Sequence, residues 1–527
     1  MKPLRRLSPD TILAVFVGLY TLVIAGRWVW GGPLAWHLNV ISLMVDDGFY
    51  YLKIAQHIAQ GLGPTFDGLH LTNGYHPLWL LWLVAFFWLT PRAEAVLLWM
   101  FMAQCLSLAV STGLVYLTAR LLTGRLAAIL ATLVWAEFAY KWALSGMEFH
   151  LQALGIAALG YVYGRWFAGT LPPSRYPYLA LGLIASLTLL ARLETVLLAL
   201  CLGVWLGWRA PQRLWFFLLP VGLTVIAYAG FNVFWFGHIW PVSGAVKRTW
   251  SESYLLRDPV YQTSGWWAAK INNVLWPMRY FRRWFSVYLL LGTLGAGLLG
   301  LAGALGRWRG VRILGPFIAF SLLQWLGYML LYHTGLSYPP WYYAVQPWLT
   351  ALLGAWLADE VWKRLTLHDM RWRWAGATLL ITIGMCVPIY TFWSIERRLA
   401  VYQPDLAHEP LYAAALWASQ HLPPDAVVGA WSAGAVSYFF AGRVVNLDGL
   451  VNSWDFYQTD QYRLCDYLPA NRVTYLVDVF DFPHPFEFAA AQGVATCATQ
   501  WEQIWLGPAI PNTTSHAAAY RWRSTSP

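Results

Sequence analysis

PLWLLWLVAFFWLT, Pro77 to Thr90, is an uninterrupted apolar run that is too short for its own hydropathy. As a helix it would reach only ~21 Å, against a hydrocarbon core of ~30 Å. Other apolar runs lie near 11–30, 94–118, 126–143, 149–167, 177–191, 195–208, 214–235, 284–305, 311–331, 341–358 and 375–394. If every run spanned a membrane, the basic connections Arg120–Arg125 and Arg165–Arg175 would fall outside, against the positive-inside rule. If Pro77–Thr90 is instead interfacial or re-entrant, the start of the chain (Lys2, Arg5, Arg6), both of those connections and the later clusters Arg209/Arg213, Arg307/Arg309/Arg312 and Lys363/Arg364/Arg371/Arg373 all face inside. That parity predicts a polytopic α-helical membrane protein with about 11 transmembrane helices. Its N-terminus is then cytoplasmic and its C-terminal part extracytoplasmic.

The composition agrees. Of 527 residues, 58% are hydrophobic and 11% charged, and the mean hydropathy is +0.47. The net charge of +10 divides unevenly: residues 395–527 hold 7 Arg against 12 Asp or Glu, and the first 394 hold 28 basic against 13 acidic residues. Basic residues that flank apolar runs set membrane orientation, so nucleic acid is not expected as a partner. The first 30 residues, a basic start and a long apolar run without a small-residue cleavage site, read as a retained signal anchor. Two domains are expected: 1–394 in the membrane, with an outer loop 31–93 carrying interfacial helices, and 395–527 as a small extracytoplasmic α/β domain. In the latter LYAAALWASQHL reads as a helix and DAVVGAW, RVVNLDG and RVTYLVDVF as strands. Cys465 and Cys497 fall in that polar tail and can pair if it lies outside the cytoplasm.

On the outer side the predicted topology gathers five segments: loop 31–93, the turn SGMEFH (Ser145–His150), the break ARLE (Ala191–Glu194), the loop FGHIWPVSGAVKR (Phe236–Arg248) and the loop HTGLSYPPWYYAVQP (His333–Pro347). The first carries VDDGFYYLKIAQHIAQGLG. Leu52, Ala55, Ile58/Ala59 and Leu62 form one stripe and Lys53, Gln56, His57 and Gln60 the opposite one, as in a helix lying in the interface. Its adjacent carboxylates Asp46 and Asp47 could cap that helix, or one could serve as a general base at the membrane surface. Asp46 is the favoured base.

Asn73-Gly74 reads as a turn, and Tyr75 and His76 as interface anchors or binding residues. Glu148, Arg192 and Glu194 are charges in apolar surroundings, which face a protein-lined cavity or pair with one another. Lys247 follows a Gly/Pro-containing loop and suits a phosphate as a point charge. Trp341, Tyr342 and Tyr343 are either an aromatic belt or the wall of a sugar or polyprenyl site. Asn446 and Asp448 read as turn residues, and Asn512 fits a glycosylation sequon.

The ordered series DDGFYYLKIAQHIAQGLGPTFD, TNGYHPLW, SGMEFH, LLARLE, FG…P…K and RVVNLDGLVN covers most of the chain and resembles the GT-C fold glycosyltransferases. Within these it is most similar to bacterial polyprenyl-phosphate-sugar-dependent enzymes of the terminal arabinofuranosyltransferase and mannosyltransferase type. The resemblance implies inverting transfer of a sugar from a lipid-linked phosphate donor to a hydroxyl of an extracytoplasmic glycan, lipid or protein, at the cell membrane. The acid of the first outer loop, Asp46 or Asp47, would be the base. The family's G-[LM]-E-T element appears as Gly146-Met147-Glu148-Phe149 and its R-P-E as Arg192-Leu193-Glu194. Lys247 and Arg192 would then compensate the donor phosphate. Tyr75, His76, Glu148, Glu194, Trp341, Tyr342 and Tyr343 would contact substrate. A divalent metal (Mg or Mn) held by Asp47 and Glu148 is a further option, although a cation pair also suffices.

Two other classes fit the composition. In a polytopic transporter Asp46, Glu148, Arg192 and Glu194 would form an ion or substrate path, but no internal repeat is visible and the charges gather at one face. A scaffold subunit would explain the tail but not the polar outer turns.

Overall fold

The computed structural model describes residues 8–31, 43–279, 309–333, 340–365, 408–487, 492–510 and 513–523, with a few positions between 382 and 397. The predicted runs 284–305 and most of 375–394, the start of the tail, part of the loop before Trp341, and Asn512 lie outside the described residues.

Helix α1 (Pro9–Trp30) begins where Ser8 Oγ accepts from Thr11 N and Pro9 fixes the first turn. It packs along α4 (Ala93–Leu122), which also meets α5 (Arg125–Ala143) and α6 (Phe149–Phe167). Between these come α2 (Asp46–Ala59) and α3 (Pro77–Leu89). Helix α7 (Tyr176–Ala191) and α8 (Val196–Arg209) precede α9 (Pro211–Phe236), α10 (Val242–Leu256), α11 (Pro259–Arg279), α12 (Arg309–Leu331) and α13 (Val345–Leu365). Four described helices are long and apolar enough to cross a membrane: Pro9–Trp30, Ala93–Leu122, Pro211–Phe236 and Arg312–Leu331. The count of eleven spans is not reached among the described residues. The runs 284–305 and most of 375–394 lie outside them, and other apolar runs form shorter helices, such as Tyr176–Ala191 and Val196–Arg209, separated by an extended Arg192. Pro77–Leu89 is one of these short helices, 13 residues long, as its length predicts.

The tail is a mixed five-stranded sheet of order β2-β1-β3-β5-β4. Strands β1 (Val427–Ala430), β2 (Arg443–Asn446) and β3 (Tyr475–Asp481) run parallel, and β4 (Trp501–Ala509) and β5 (Ser515–Trp522) complete it antiparallel. Helix α14 (His408–His421) packs on β3, β4 and β5, and α15 (Ala433–Phe439) links β1 to β2 and packs on α2. The three strands expected from DAVVGAW, RVVNLDG and RVTYLVDVF are present. The last two strands lack clean alternation in sequence, because β4 carries register shifts between Gln503 and Trp505 and between Leu506 and Ala509. Cys465 and Cys497 form a disulfide.

Helix α2 is buried on more faces than its polar stripe suggests. Phe49, Tyr50, Tyr51, Leu52, Ile54, Ala55 and even His57 of the polar stripe are buried, because the membrane helices hold one side and the tail the other. The loop after α2 folds back so that His57 Nδ1 meets Thr65 O at 3.0 Å. Its Asp67 accepts from Leu69 N, His70 N, His70 Nδ1 and, across to the tail, Arg443 Nη2 at 2.8 Å. Burial alone would raise the Asp67 carboxyl, but His70 and Arg443 outweigh it and hold Asp67 well below the usual carboxylate range.

Two glycines let the halves touch. A Cβ on Gly434 would lie 2.2 Å from Asp46 O, and one on Gly74 would lie 1.9 Å from Leu450 O. Gly434→Ala is expected to cost about 1–3 kcal/mol, as overpacking of a tight contact does. It is read as a lowered unfolding temperature of the full-length protein in detergent, and an unchanged temperature would mean that α15 can shift away freely.

Candidate active site

A cavity of about 850 Å³ opens between the membrane helices and the tail. Of the residues singled out from sequence, Asp47, Tyr75, His76, Glu148, Arg192, Glu194, Lys247, Trp341 and Tyr342 line it. The extended Arg192 between α7 and α8 and the turn Ser145–Glu148 between α5 and α6 bring the inner charges together. That turn depends on Gly146, whose φ of +80° favours glycine.

At the floor, Arg192 donates from Nη1 to Glu148 Oε1 and from Nε to Glu194 Oε1, both at 2.5 Å. Glu148 has no exposed surface, and its Oε2 accepts from Tyr51 Oη at 3.0 Å. His76 Nε2 stands 3.8 Å from Glu148 Oε1, and its backbone N–H donates to Tyr51 Oη. A guanidinium so enclosed by two carboxylates is neutralised before any ligand arrives. Arg192, expected as a phosphate ligand, and Glu148, expected as a substrate contact, thus line the cavity already paired with each other.

Lys247 lies not on a loop, as its sequence neighbours suggest, but in α10. Its Nζ donates to Tyr342 Oη at 2.7 Å, and the Arg192 guanidinium lies 4.5 Å from the centre of the same ring. Among the described residues Lys247 has no carboxylate within ion-pair distance, although the Asp47 charge acts on it across the cavity. Tyr328 stacks on Tyr342 at 5.2 Å and on Tyr332 at 5.6 Å, giving an aromatic wall. Tyr343, expected to contact substrate, does not line the cavity: fully buried, it packs against Met329 and Tyr328 behind the wall.

Asp46 and Asp47 separate cleanly. Asp46 Oδ2 and Oδ1 accept from Gly434 N at 3.0 Å and Ala435 N at 2.8 Å, at the start of α15. It does not line the cavity, whereas Asp47 does. Asp46, the favoured base, thus turns its carboxylate to the tail's backbone, and Asp47 lies on the cavity.

Several lining residues carry no signal in the sequence. The tail supplies Leu450, Val451, Trp454 and Tyr457, and Tyr457 Oη meets Thr249 Oγ1 of α10 at 3.0 Å. Asn73, expected as a turn residue, is a buried hub. Its Nδ2 donates to Asn232 Oδ1 and Trp240 O, and its Oδ1 accepts from Val242 N and Trp454 Nε1. An Asn beside a Gly looks like any turn, and only the distant partners distinguish it.

Solved structures share this architecture. The Archaeoglobus fulgidus oligosaccharyltransferase tethered with an acceptor peptide containing the NVT sequon aligns over 96% of this chain and 74% of its own, with a TM-score of 0.57 at 12% identity. The same enzyme in complex with an inhibitory peptide and a dolichol-phosphate gives 0.53 at 11%, again over 96% and 74%. ArnT from Cupriavidus metallidurans in the apo state aligns over 97% of this chain and 98% of its own, with a TM-score of 0.51 at 14% identity. The chain has the GT-C fold. Within this GT-C chain, residues 399–522 match a family described as a domain of unknown function (DUF8728). No curated protein sequence matches the chain.

A structure of the Archaeoglobus enzyme with Zn and sulfate, 11% identical and aligned over 95% of this chain and 73% of its own with a TM-score of 0.58, raises the question of a metal in this GT-C cavity. Of the two residues expected to hold one, Asp47 lines the cavity and Glu148 lies at its floor. Glu148 already faces the Arg192 guanidinium and the Tyr51 hydroxyl, so a cation there would meet a cation. Among the described residues no three His, Cys, Asp or Glu side chains converge as a metal-binding group.

Proposed function

We propose that the chain is a membrane glycosyltransferase that moves a sugar from a polyprenyl-phosphate donor to a hydroxyl of an extracytoplasmic acceptor, with inversion. The observation that carries this reading is the placement of Asp47 and Lys247 on one cavity of about 850 Å³, in a GT-C fold. Asp47 is the base that takes the proton of the acceptor hydroxyl as the oxygen attacks the anomeric carbon. Lys247, with Tyr342 beside it, holds the donor phosphate and stabilises the charge that grows as the sugar–phosphate bond breaks. Tyr328, Tyr332, Tyr342 and Trp341 offer ring faces and hydroxyls to the sugar or the first prenyl units. Arg192, Glu148 and Glu194 keep the floor rigid. The cavity and the tail, residues 395–527, face the extracytoplasmic side in this reading, and residues 1–394 form the membrane domain. Anchorage in a lipid bilayer through four apolar helices would bring a lipid-linked donor to the cavity by lateral diffusion.

The test is direct. Purified protein given a polyprenyl-phosphate sugar and a hydroxyl acceptor should release polyprenyl phosphate. Lys247→Met should lower kcat/KM by about 10²–10³-fold, as loss of a preorganised charge does, with Lys247→Arg less severe. Wild-type turnover in Lys247→Met would overturn the phosphate assignment.

A further inference from the structure

In open α/β sheets the crevice at the carboxyl ends of parallel strands is where ligands bind. In this tail that crevice holds a helix of the membrane part. Beyond the ends of β1 and β2, the Trp431 carbonyl, Asn446 and Asp448 converge on one hydroxyl, that of Tyr50 on α2. Tyr50 Oη donates to Asp448 Oδ2 at 3.0 Å, with Trp431 O at 3.2 Å, and Asn446 Nδ2 approaches it at 3.4 Å. Asp448 is itself fixed, since its Oδ1 accepts from Leu450 N at 2.7 Å. Asn446 is fixed as well, its Oδ1 accepting from Gly449 N at 2.9 Å.

Tyr50 is one helical turn from Asp47, so the two share a face of α2. Asp46, on the other side of Asp47, is held by Gly434 N and Ala435 N. The third restraint comes from the membrane part, where Val45 N donates to Ser145 O at 3.0 Å and Gly48 packs so closely on Gly146 that a Cβ would lie 3.2 Å from its Cα. Asp47 therefore sits between two tail contacts and one membrane contact, and of the two acids in that turn it is the one that lines the cavity.

We infer that the tail is part of the catalytic apparatus: Asp448, through Tyr50, is a positioning residue that fixes the base Asp47 toward the acceptor hydroxyl. The inference rests on the glycosyl-transfer reading above. It assigns to the NLDG turn a task that a turn residue would not have, because a turn needs the Asp448–Leu450 bond but not the bond to Tyr50. Burial pushes the Asp448 carboxyl up to about 7, opposed by the Leu450 bond and aided by the Asp47 charge, so the two carboxylates sense each other.

The experiment compares Tyr50→Phe, Asp448→Ala and Asp448→Asn in the full-length protein, with polyprenyl-phosphate release as the readout. Tyr50→Phe and Asp448→Ala should lower kcat by about 10–100-fold, the scale of a slightly misplaced catalytic group, while the KM for donor stays within about twofold. Asp448→Asn has one amide oxygen for the two donors Tyr50 Oη and Leu450 N, so it should recover part of the lost kcat relative to Asp448→Ala. If both Asp448 variants lower the melting temperature and leave kcat of the folded protein unchanged, the residue only holds the tail together and the inference fails. Normal kcat in Tyr50→Phe also overturns it. Failure of the underlying reading looks different: wild-type protein would release no polyprenyl phosphate, or Asp47→Asn would turn over normally.

Discussion

Asp47→Asn is expected to reduce sugar transfer by about 10²–10⁴-fold while the protein folds and melts as before, the loss typical when a general base is removed. The amide is isosteric, and Asp47 lies in the first turn of a helix held by the bonds of its neighbours. Asp46→Asn makes the contrast. An amide can accept only one of the two bonds that Gly434 N and Ala435 N now make, so stability falls by about 1 kcal/mol with a smaller loss of rate. Measured side by side as kcat and melting temperature, the pair separates a base from a tether. Equal rates in the two variants would sink the division of labour between these adjacent acids.

Arg192→Met carries the other large effect, and it falls on stability. Removing the guanidinium leaves Glu148, wholly buried, and Glu194, partly buried, without the cation they share. Breaking a buried pair in this way costs about 3–5 kcal/mol. The loss should appear as a large drop in unfolding temperature. Combining Arg192→Met with Glu148→Gln should restore a substantial part of it, because the second change removes the stranded charge. A single variant as stable as wild type would mean that water reaches the floor and that Arg192 is free to bind ligand.

The helical framework was legible because it follows from hydropathy and charge alone. The shortness of Pro77–Leu89 and the break at Arg192 both show in the letters. The charged residues of the site were legible too, since a Glu148 or an Arg192 among apolar neighbours must answer for its desolvation. What could not be read was partnership. Both Asp46 and Asp47 stand in the first turn of one helix, and nothing local says that one turns to the tail and the other to the cavity. Lys247 looked like a loop residue because Pro241 and Gly244 precede it, yet Pro241 opens a helix and Gly244 is tolerated within its first turn. Trp454, Tyr457 and Asp448 were hidden by distance along the chain: they meet residues of α2, α10 and the Asn73 loop roughly 200 to 400 positions earlier.

The two glycine contacts, Gly434 against Asp46 and Gly74 against Leu450, leave no slack between the halves of the molecule. The tail is consequently poor material for modular exchange. A chimera that joined this membrane part to the tail of a relative would need the backbone of the acid helix and of the Asn73 loop to come with it, as a matched lock and key. Recombination, natural or engineered, should succeed when those three pieces travel as one unit and stall when only the tail is replaced.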